Sequence, residues 1–242
     1  MLIPVATSRD ILVFRQGDQY LTLAADTLGG IGEKPGDHFR VAPEICGRMT
    51  ARVCLIETLA VGSVPAALMA LTSNEREPTG VRLLAGICEE LSAAGFPDLP
   101  LGGSSEENMA TGMTALGINL LGECERLAWR QAQPGDGVYL VGMPYVGPEV
   151  LSHRDALLTP RLTRHLRTLP EVGDILPCGS RGAGWEVQVL EREIGLPVRI
   201  DGDIPPQLLA KSAGPATCAV VTARGPLTLR DIAVMRLGIV GA

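Results

Sequence analysis

The sequence predicts an α+β fold in which helices pack against a largely antiparallel sheet. The first observation is a pair of strand-like segments in residues 10–26, separated by the turn residues Gln16-Gly17-Asp18. The second is a repeat of apolar residues at helical spacing between positions 43 and 62. The third is a run of further strand-like segments around a second helix, which gives the first half the order βββαβαββ.

The second helix is predicted from apolar residues that share one face and from a stop signal at Ala94-Gly95. These apolar residues are Val81, Leu84, Ile87, Cys88 and Leu91. The strand AALMALTSN precedes this helix, and the strand GMTALGINLLGE follows it after PDLPLGGSSEENM, which reads as a strand edge and a polar loop.

Two domains are expected, covering residues 1–128 and 129–242. The turn-rich segment WRQAQPGDG stands before the apolar strand VYLVGM and is a plausible junction. The second half then contains a basic helix at 159–167, the glycine-rich loop CGSRGAG and a helix at 185–194. Two short strands, VRI and TCAVVT, complete it.

Composition and charge narrow the classes of function. Hydrophobic residues make up 46% of the 242 residues and charged residues 20%, as in an ordinary globular protein. The net charge of -6 and the 3% of aromatic residues disfavour nucleic acid as a partner. No apolar run approaches the roughly 20 residues that cross a bilayer, and no signal-peptide pattern is seen. We therefore expect a cytoplasmic protein with no membrane partner.

The six cysteines include no Cys-x-x-Cys pair of the kind that binds metal or cycles between redox states. Several lie in apolar runs such as VCLIETL and TCAVVT. Free thiols pack as small hydrophobic groups, so we expect reduced cysteines in the core.

Glu57 is a candidate site residue because its neighbours at helical spacing are apolar: Val53, Cys54, Ala60 and Val61. A carboxylate on such a face needs a cation, a metal ion or strong hydrogen-bond donors nearby. The alternative is a carboxylate at the rim of the face or one bonded to a distant arginine.

Asp26 is predicted to end a strand and to open the glycine-rich segment TLGGIGEKPGD. This would place a carboxylate beside backbone that can approach a ligand closely, although an ordinary turn is the alternative. The segment lacks the Gly-Lys-Ser/Thr ending of a Walker loop. Lys34 is then either a phosphate contact or a solvated loop lysine.

The segment Gly102–Asn108 is predicted to be a polar loop between two apolar strands. Its glycines offer backbone amides to phosphate, and its hydroxyls and carboxylates offer oxygen ligands to a hard cation. The alternative is a helix cap or hairpin loop with solvated glutamates.

Three of these side chains together suggest a magnesium site: Asp26, Glu57 and Glu106. Magnesium takes oxygen ligands and is usually shared between a few carboxylates and substrate phosphates. Phosphoryl transfer requires mainly positioning and charge neutralisation. The three carboxylates therefore predict a site for ATP and Mg²⁺.

Three motifs, in this order, resemble the superfamily of aminoimidazole ribonucleotide synthetase (PurM), thiamine-monophosphate kinase and selenophosphate synthetase. They are DTLGGIGEKPGD (Asp26 to Asp37), RVCLIETLAVGSVP (Arg52 to Pro65) and GGSSEEN (Gly102 to Asn108). The likeness covers most of residues 10–145, and the most similar pattern is that of α-ribazole kinase, a salvage enzyme for the lower-ligand nucleoside of cobalamin.

The resemblance implies a PurM-like fold and a homodimer whose N-terminal sheets join. It also implies magnesium ligands at Asp26, Glu57 and Glu106. Phosphate contacts would come from the two glycine-rich segments, at Thr27, Gly29, Gly30, Lys34, Gly103, Ser104, Ser105 and Asn108.

The chain departs from the thiamine-monophosphate kinase pattern at two positions. That family has aspartate at the positions that match Glu57 and Ser104, and the second of these binds metal. The serine favours the ribazole type and leaves Glu106 as the replacement ligand, so the number of bound magnesium ions stays open.

The second half resembles a shortened form of the superfamily's second domain, which QPGDGVYLVG would open. KSAGPATCAVVTA stands where a Gly-Gly-Glu motif would precede a strand, and its acidic residue is missing. Candidates for contact with the acceptor substrate are Asp174, Gly179 and Ser180. Alternatively, the glycines of this loop only turn the chain.

The leading hypothesis is an ATP-dependent kinase that phosphorylates a small nucleoside-like acceptor, α-ribazole foremost. A second is another ATP-dependent reaction of the superfamily, either phosphorylation of thiamine monophosphate or activation of an amide. A third is a nucleotide-binding regulatory protein without catalysis, suggested by the short second half and the missing acidic residue.

Overall fold

The computed structural model describes residues 1–241 and confirms the predicted α+β class, with sheets packed by helices. The chain divides into two compact units. Unit 1 contains Met1–Pro4, Asp10–Thr58 and Val64–Glu125, and unit 2 contains Val5–Arg9, Leu59–Ser63 and the chain from Arg126 onward. The sequence patterns did not indicate that the two short segments would belong to unit 2.

Unit 1 is built on a six-stranded mixed sheet with the order β1-β2-β3-β8-β6-β7. Its strands are β1 (Ile3–Val5), β2 (Ile11–Gln16), β3 (Gln19–Gly29), β6 (Val64–Thr72), β7 (Leu101–Ser105) and β8 (Ala115–Cys124). β8 pairs antiparallel with both β3 and β6, whereas β6 and β7 run parallel. The short strands β4 (Ile31–Gly32) and β5 (Phe39–Arg40) form a separate parallel pair.

Two helices of unit 1, α1 (Pro43–Ala60) and α2 (Val81–Ala94), supply its helical layer. α2 ends at Gly95, whose φ of 89° is left-handed, as the sequence predicted. The predicted buried face is wrong for Cys88, which is exposed. The face instead includes Glu90, whose carboxylate is buried because it pairs with Arg52 of α1 at 2.6 Å and with Arg48 at 2.7 Å.

The two faces of the six-stranded sheet differ. Alternate side chains such as Ala24, Ala70 and Ile118 are buried on one face, which we call the covered face. The other face, the open face, carries several apolar side chains that are 38–57% exposed. They include Leu12, Val64, Met69, Leu71 and Leu121. An exposed apolar surface of this kind is typical of an interaction site.

Unit 2 contains a five-stranded antiparallel sheet with the order β10-β12-β9-β13-β11. Its strands are β9 (Gly137–Gly142), β10 (Val172–Pro177), β11 (Val198–Ile200), β12 (Cys218–Ala223) and β13 (Val234–Val240). Its helices are α3 (Pro148–Ser152), α4 (Pro160–Thr168), α5 (Ala183–Ile194) and α6 (Pro206–Ala210). The sequence patterns missed β10 and β13. In β13 the alternation is disturbed by a register shift between Arg236 and Gly238.

The cysteines are divided between core and surface. Four are buried, Cys124 is half-buried and Cys88 is exposed, and all six are free. In the part of the chain that the structure describes, no helix has both the length and the apolar character needed to cross a membrane.

Candidate functional site

Asp26 lies inside β3 and does not end the strand as predicted, because β3 stays paired with β8 through Gly29. Opposite Asp26 is Ile118 of β8, which is also opposite Ala70 of β6, and Ala70 is opposite Gly103 of β7. Paired residues point to the same side of a sheet. Asp26 therefore points to the covered face, in the same row as Gly103.

Asp26 and Glu57 each lie within electrostatic range of the Cys54 thiol. Cys54 lies on α1, three residues before Glu57, and its Sγ is 3.8 Å from the carbonyl oxygen of Ile118. Burial, and then the negative charges of Asp26 and Glu57, raise the pKa of Cys54 well above its usual value. Both carboxylates are therefore within electrostatic range of one buried sulfur atom.

Asp26 is held in surroundings that disfavour its charge. Burial raises the pKa of its carboxyl to about 6, although a hydrogen bond from the Thr27 backbone acts in the opposite direction. A nearby cation would offset this effect, since an opposite charge favours the ionised form.

Glu106 is placed elsewhere in unit 1. Asp26 and Gly103 are three strand spacings apart, which is about 14 Å, and Glu106 follows Gly103 beyond the end of β7. Its Oε1 accepts hydrogen bonds from the backbone nitrogens of Asn108 at 2.7 Å and Met109 at 3.1 Å. Within residues 1–241, no three His, Cys, Asp or Glu side chains are arranged to hold one metal ion. Of the predicted set, Asp26 and Glu57 thus both lie near Cys54, whereas Glu106 follows the end of β7.

The segment from Gly102 to Ser105 is part of strand β7 and not the predicted loop. Glycine is required at 103 because a Cβ there would lie 2.1 Å from the carbonyl oxygen of Ala70. The close pairing of β6 and β7 therefore explains this glycine. Ser104 is exposed and Ser105 is half-buried at the end of the strand.

The glycine-rich segment after β3 has a fixed backbone. Gly30 has a φ of 72° and donates to the Thr114 carbonyl oxygen at 2.8 Å. The Asp37 carboxylate accepts from the Lys34 backbone nitrogen and from both the backbone nitrogen and the hydroxyl of Thr114, at 2.7–2.8 Å. Gly29 is exposed, with open space where a Cβ would lie.

Lys34 is already paired. Its Nζ lies 2.7 Å from Oε2 of Glu75, and its side chain is only 16% exposed. Although burial opposes ionisation of Glu75, hydrogen bonds from Lys34 and Thr79 lower the pKa of this carboxyl to about 2. The predicted phosphate contact would therefore require Lys34 to share its charge with Glu75.

The other predicted phosphate contacts lie at the surface. Thr27 is on the open face, opposite in direction to Asp26, and its hydroxyl donates to the Leu116 carbonyl oxygen at 3.2 Å. Asn108 is exposed, in the loop that follows β7.

Asn74 organises the loops of this end of unit 1 and was missed in the sequence. It is fully buried, and its amide donates to Thr111 and to the Met113 carbonyl oxygen, both at 2.7 Å. Its Oδ1 accepts from Ala115, and its backbone carbonyl accepts from the Glu106 nitrogen at 3.0 Å. The available signal was a polar residue directly after the apolar strand β6.

Asp174 of unit 2 has a structural role. Its side chain is fully buried, and Oδ1 accepts from Arg9 at 2.6 Å and from the Arg130 nitrogen at 2.7 Å. Oδ2 accepts from the backbone nitrogens of Gln131 and Ala132 at 2.8 and 2.9 Å. This saturation argues against the predicted contact with a substrate.

Gly179 and Ser180 lie in the loop between β10 and α5. The Gly179 carbonyl oxygen accepts from Gly182 and Ala213, at 3.2 and 3.1 Å, which fixes the turn. Ser180 is exposed. Its hydroxyl is thus the more accessible of the two predicted acceptor contacts.

The raised pKa of Asp26 predicts a pH-dependent stability in metal-free protein. The carboxyl binds its proton more tightly in the folded state, so its contribution to stability is present below about pH 4 and is lost as the pH rises through about 6. Asp26→Asn should therefore raise the free energy of unfolding at pH 7.5 by about 2–3 kcal/mol relative to wild type. Urea titrations in EDTA at pH 4 and 7.5 test this, and an equal difference at both pH values would contradict it.

A second prediction concerns Asp174. Asp174→Asn should lower the free energy of unfolding by about 3–5 kcal/mol, because it leaves the buried Arg9 guanidinium without its counter-charge. Chemical denaturation of wild type, Asp174→Asn, Arg9→Met and Asp174→Asn/Arg9→Met measures the coupling. If Asp174→Asn is as stable as wild type but binds substrate more weakly, Asp174 contacts the substrate as first predicted.

The chain was compared with known proteins. No protein-family model matches it, and no curated protein matches it. Several solved structures do. The structure of AaThiL complexed with AMPPCP and TMP has a TM-score of 0.64 at 17% identity, over 96% of this chain and 84% of that one. Thiamine-monophosphate kinase from Stenotrophomonas maltophilia K279a has a TM-score of 0.66 at 18% identity, over 98% and 88%.

A further match is T. maritima PurL complexed with ATP, with a TM-score of 0.56 at 16% identity. It covers 97% of this chain and 37% of PurL. These identities are too low to transfer an activity, and they establish architecture alone. The chain has the PurM-like fold.

Proposed function

We propose that this protein is an ATP-dependent kinase that transfers the γ-phosphate to a hydroxyl of a small nucleoside-like acceptor, with α-ribazole of cobalamin salvage as the first candidate. A cytoplasmic location, where ATP and magnesium are supplied, is part of the proposal. The observation that carries it is that two carboxylates, Asp26 and Glu57, both lie within electrostatic range of Cys54, in a fold that also occurs in a structure with bound ATP.

The carboxylate pair fits magnesium. Magnesium prefers oxygen ligands and is commonly bound by one or two carboxylates together with substrate phosphates. The burial that raises the pKa of Asp26 is the effect that a bound cation would reverse. Asp26 and Glu57 would hold this ion, which would neutralise charge on the phosphates.

Glu106 and the β7 segment would serve another part of the phosphate chain. The strand register separates Glu106 from Asp26. Glu106 would therefore bind a second metal ion. Gly103, Ser104, Ser105 and Asn108 would contact phosphate oxygens on this side. Contacts on the side of β3 would come from Gly29, Gly30 and Lys34, whereas the Thr27 side chain points away from Asp26 and contacts no phosphate in this proposal.

The roles assigned here do not include a general base. A loose transition state for phosphoryl transfer needs little proton removal before the phosphoryl group departs. In unit 2, the exposed Ser180 and the adjacent Gly179 are the proposed acceptor contacts, whereas Asp174 is assigned to stability.

The assay that tests the kinase proposal measures ADP release with a nucleoside panel that includes α-ribazole. Removal of a residue that only supports a metal ligand typically lowers metal affinity or activity by about 10–100-fold. Glu57→Gln should therefore lower kcat by about 100-fold or more. Glu89→Gln, an exposed change on α2 of the same unit, should leave kcat unchanged.

The reaction products distinguish the proposed kinase activity from the alternative functions. A phosphorylated nucleoside supports the proposal, whereas phosphorylated thiamine monophosphate or a product of amide activation assigns the chain to another reaction. Binding of Mg-ATP without ADP formation with any acceptor would favour the regulatory alternative. Full activity of Glu57→Gln would remove Glu57 from the proposed site.

A homodimer joined through the open faces of unit 1 is the second part of the proposal. The open face presents apolar side chains that are 38–57% exposed, and burying them would be favourable at about 25 cal/mol per Å². The same surface on both subunits would form a self-complementary contact, as a two-fold interface requires.

The open face predicts the behaviour of a charge variant. Leu71→Glu should convert a dimer into a monomer, since a carboxylate buried at an apolar interface is strongly unfavourable. Val146→Glu, an equally exposed apolar position in unit 2, is the matched control. Sedimentation velocity gives the masses, and a monomeric wild type or a dimeric Leu71→Glu variant would overturn the dimer proposal.

A further inference from the structure

A cavity of about 250 Å³ lies in unit 1 between β7 and the start of α2. It is lined by the segment Leu101–Ser105, by Thr72 and Ala70 of β6, and by Arg76, Gly80 and Leu84. Ligand pockets are typically about 300–1,000 Å³, so this cavity is too small for a whole nucleotide. It has room for a phosphate group.

Arg76 supplies the charge of this cavity. Its side chain is exposed, and the ion pairs found within residues 1–241 leave its guanidinium without a carboxylate partner. Other cations of unit 1 are engaged: Lys34 with Glu75, and Arg52 with Glu90. Arg76 is therefore available to an anionic ligand in a way that these cations are not.

Glu107 fixes the backbone on both sides of the cavity. Its Oε1 accepts from the Arg76 backbone nitrogen and from the Ser105 hydroxyl, both at 2.9 Å. Thr72 donates its hydroxyl to the Ser104 carbonyl oxygen at 3.1 Å. The turn that carries Arg76 and the end of β7 are thus held in place before any ligand binds.

The chemistry of the lining suits an oxyanion. The ten residues that line the cavity include one arginine and no acidic residue, and the hydroxyls of Thr72 and Ser105 already donate to the Ser104 carbonyl oxygen and to Glu107. Arginine presents a planar fork of N–H donors that matches phosphate geometry. β7 is also the last strand of its sheet, so one of its edges has no strand neighbour.

We propose that this cavity binds a phosphate group directly through the guanidinium of Arg76, without a metal ion between protein and phosphate. The identity of the phosphate rests on the proposed function: it belongs either to the nucleotide or to a phosphorylated acceptor. Arg76 would then complement the carboxylate-bound magnesium on the side of β3, where the charge of the protein is negative.

The test uses inorganic tripolyphosphate, which carries phosphate without a base or sugar. Calorimetric titration in EDTA should show binding to the wild-type chain, and Arg76→Met should weaken it about tenfold or more, since hydrogen bonds to charged groups are the strong ones. Arg15→Met is the matched control, because Arg15 is exposed in the same unit and donates to Gly17 in the β2–β3 hairpin. Arg76→Lys should restore part of the affinity.

Two results would overturn the proposal: no tripolyphosphate binding by wild type in EDTA, or equal binding by Arg76→Met. Unfolding curves of Arg76→Met and Arg15→Met must match wild type, and if Arg76→Met fails to match, Arg76→Gln replaces it with the same criterion. Titrations with ATP and with thiamine monophosphate then assign the source, because only the true ligand loses affinity in Arg76→Met.

These results are distinguishable from those for the kinase proposal. Tripolyphosphate binding that depends on Arg76, without ADP release by any acceptor, would leave the cavity assigned and the kinase proposal refuted. If wild type releases ADP and Arg76→Met has unchanged KM values for ATP and the acceptor, the kinase proposal is supported and the cavity proposal is refuted.

Discussion

The pairing of β8 with β3 and β6 is the constraint on which the structure of unit 1 depends. β8 is paired with β3 from Tyr20 to Gly29 and with β6 from Val64 to Thr72. Because side chains alternate between faces, a slip of one residue in β3 would move Asp26 to the open face. The same pairings place Gly103 in the row of Asp26, so the register fixes both halves of the proposed nucleotide site.

The covered face holds its carboxylates at a cost in stability. Asp26 is ionised near neutral pH only against the effect of burial, and its charge also raises the pKa of the Cys54 thiol. A protein optimised for stability alone would place an apolar side chain there. Retained local conflicts of this kind are expected at functional sites, which is why a metal ion is a physically reasonable occupant.

Ion pairs in unit 1 divide its cations between structure and ligand binding. Arg52 is committed to the buried Glu90, and Lys34 to Glu75. Arg76 stands beside the β7 cavity with no such commitment among the described residues, although its backbone is anchored by Glu107. Lys34 of the glycine-rich segment, for which the family resemblance implies a phosphate contact, is therefore the more constrained of the two cations.

Local residue patterns were enough to predict the α+β class, the β2–β3 hairpin, the beginning of α1 at Pro43 and the apolar surroundings of Glu57, since periodicity and turn residues act over short distances. It did not determine the extent of β3, the strand β7, or the strands β10 and β13. The three-dimensional structure was needed to show that Asp26 and Glu57 both lie near Cys54, that Glu106 follows the end of β7, and that Asp174 is a buried anchor. These depend on strand order and register, which pair residues far apart in the chain and leave no local pattern.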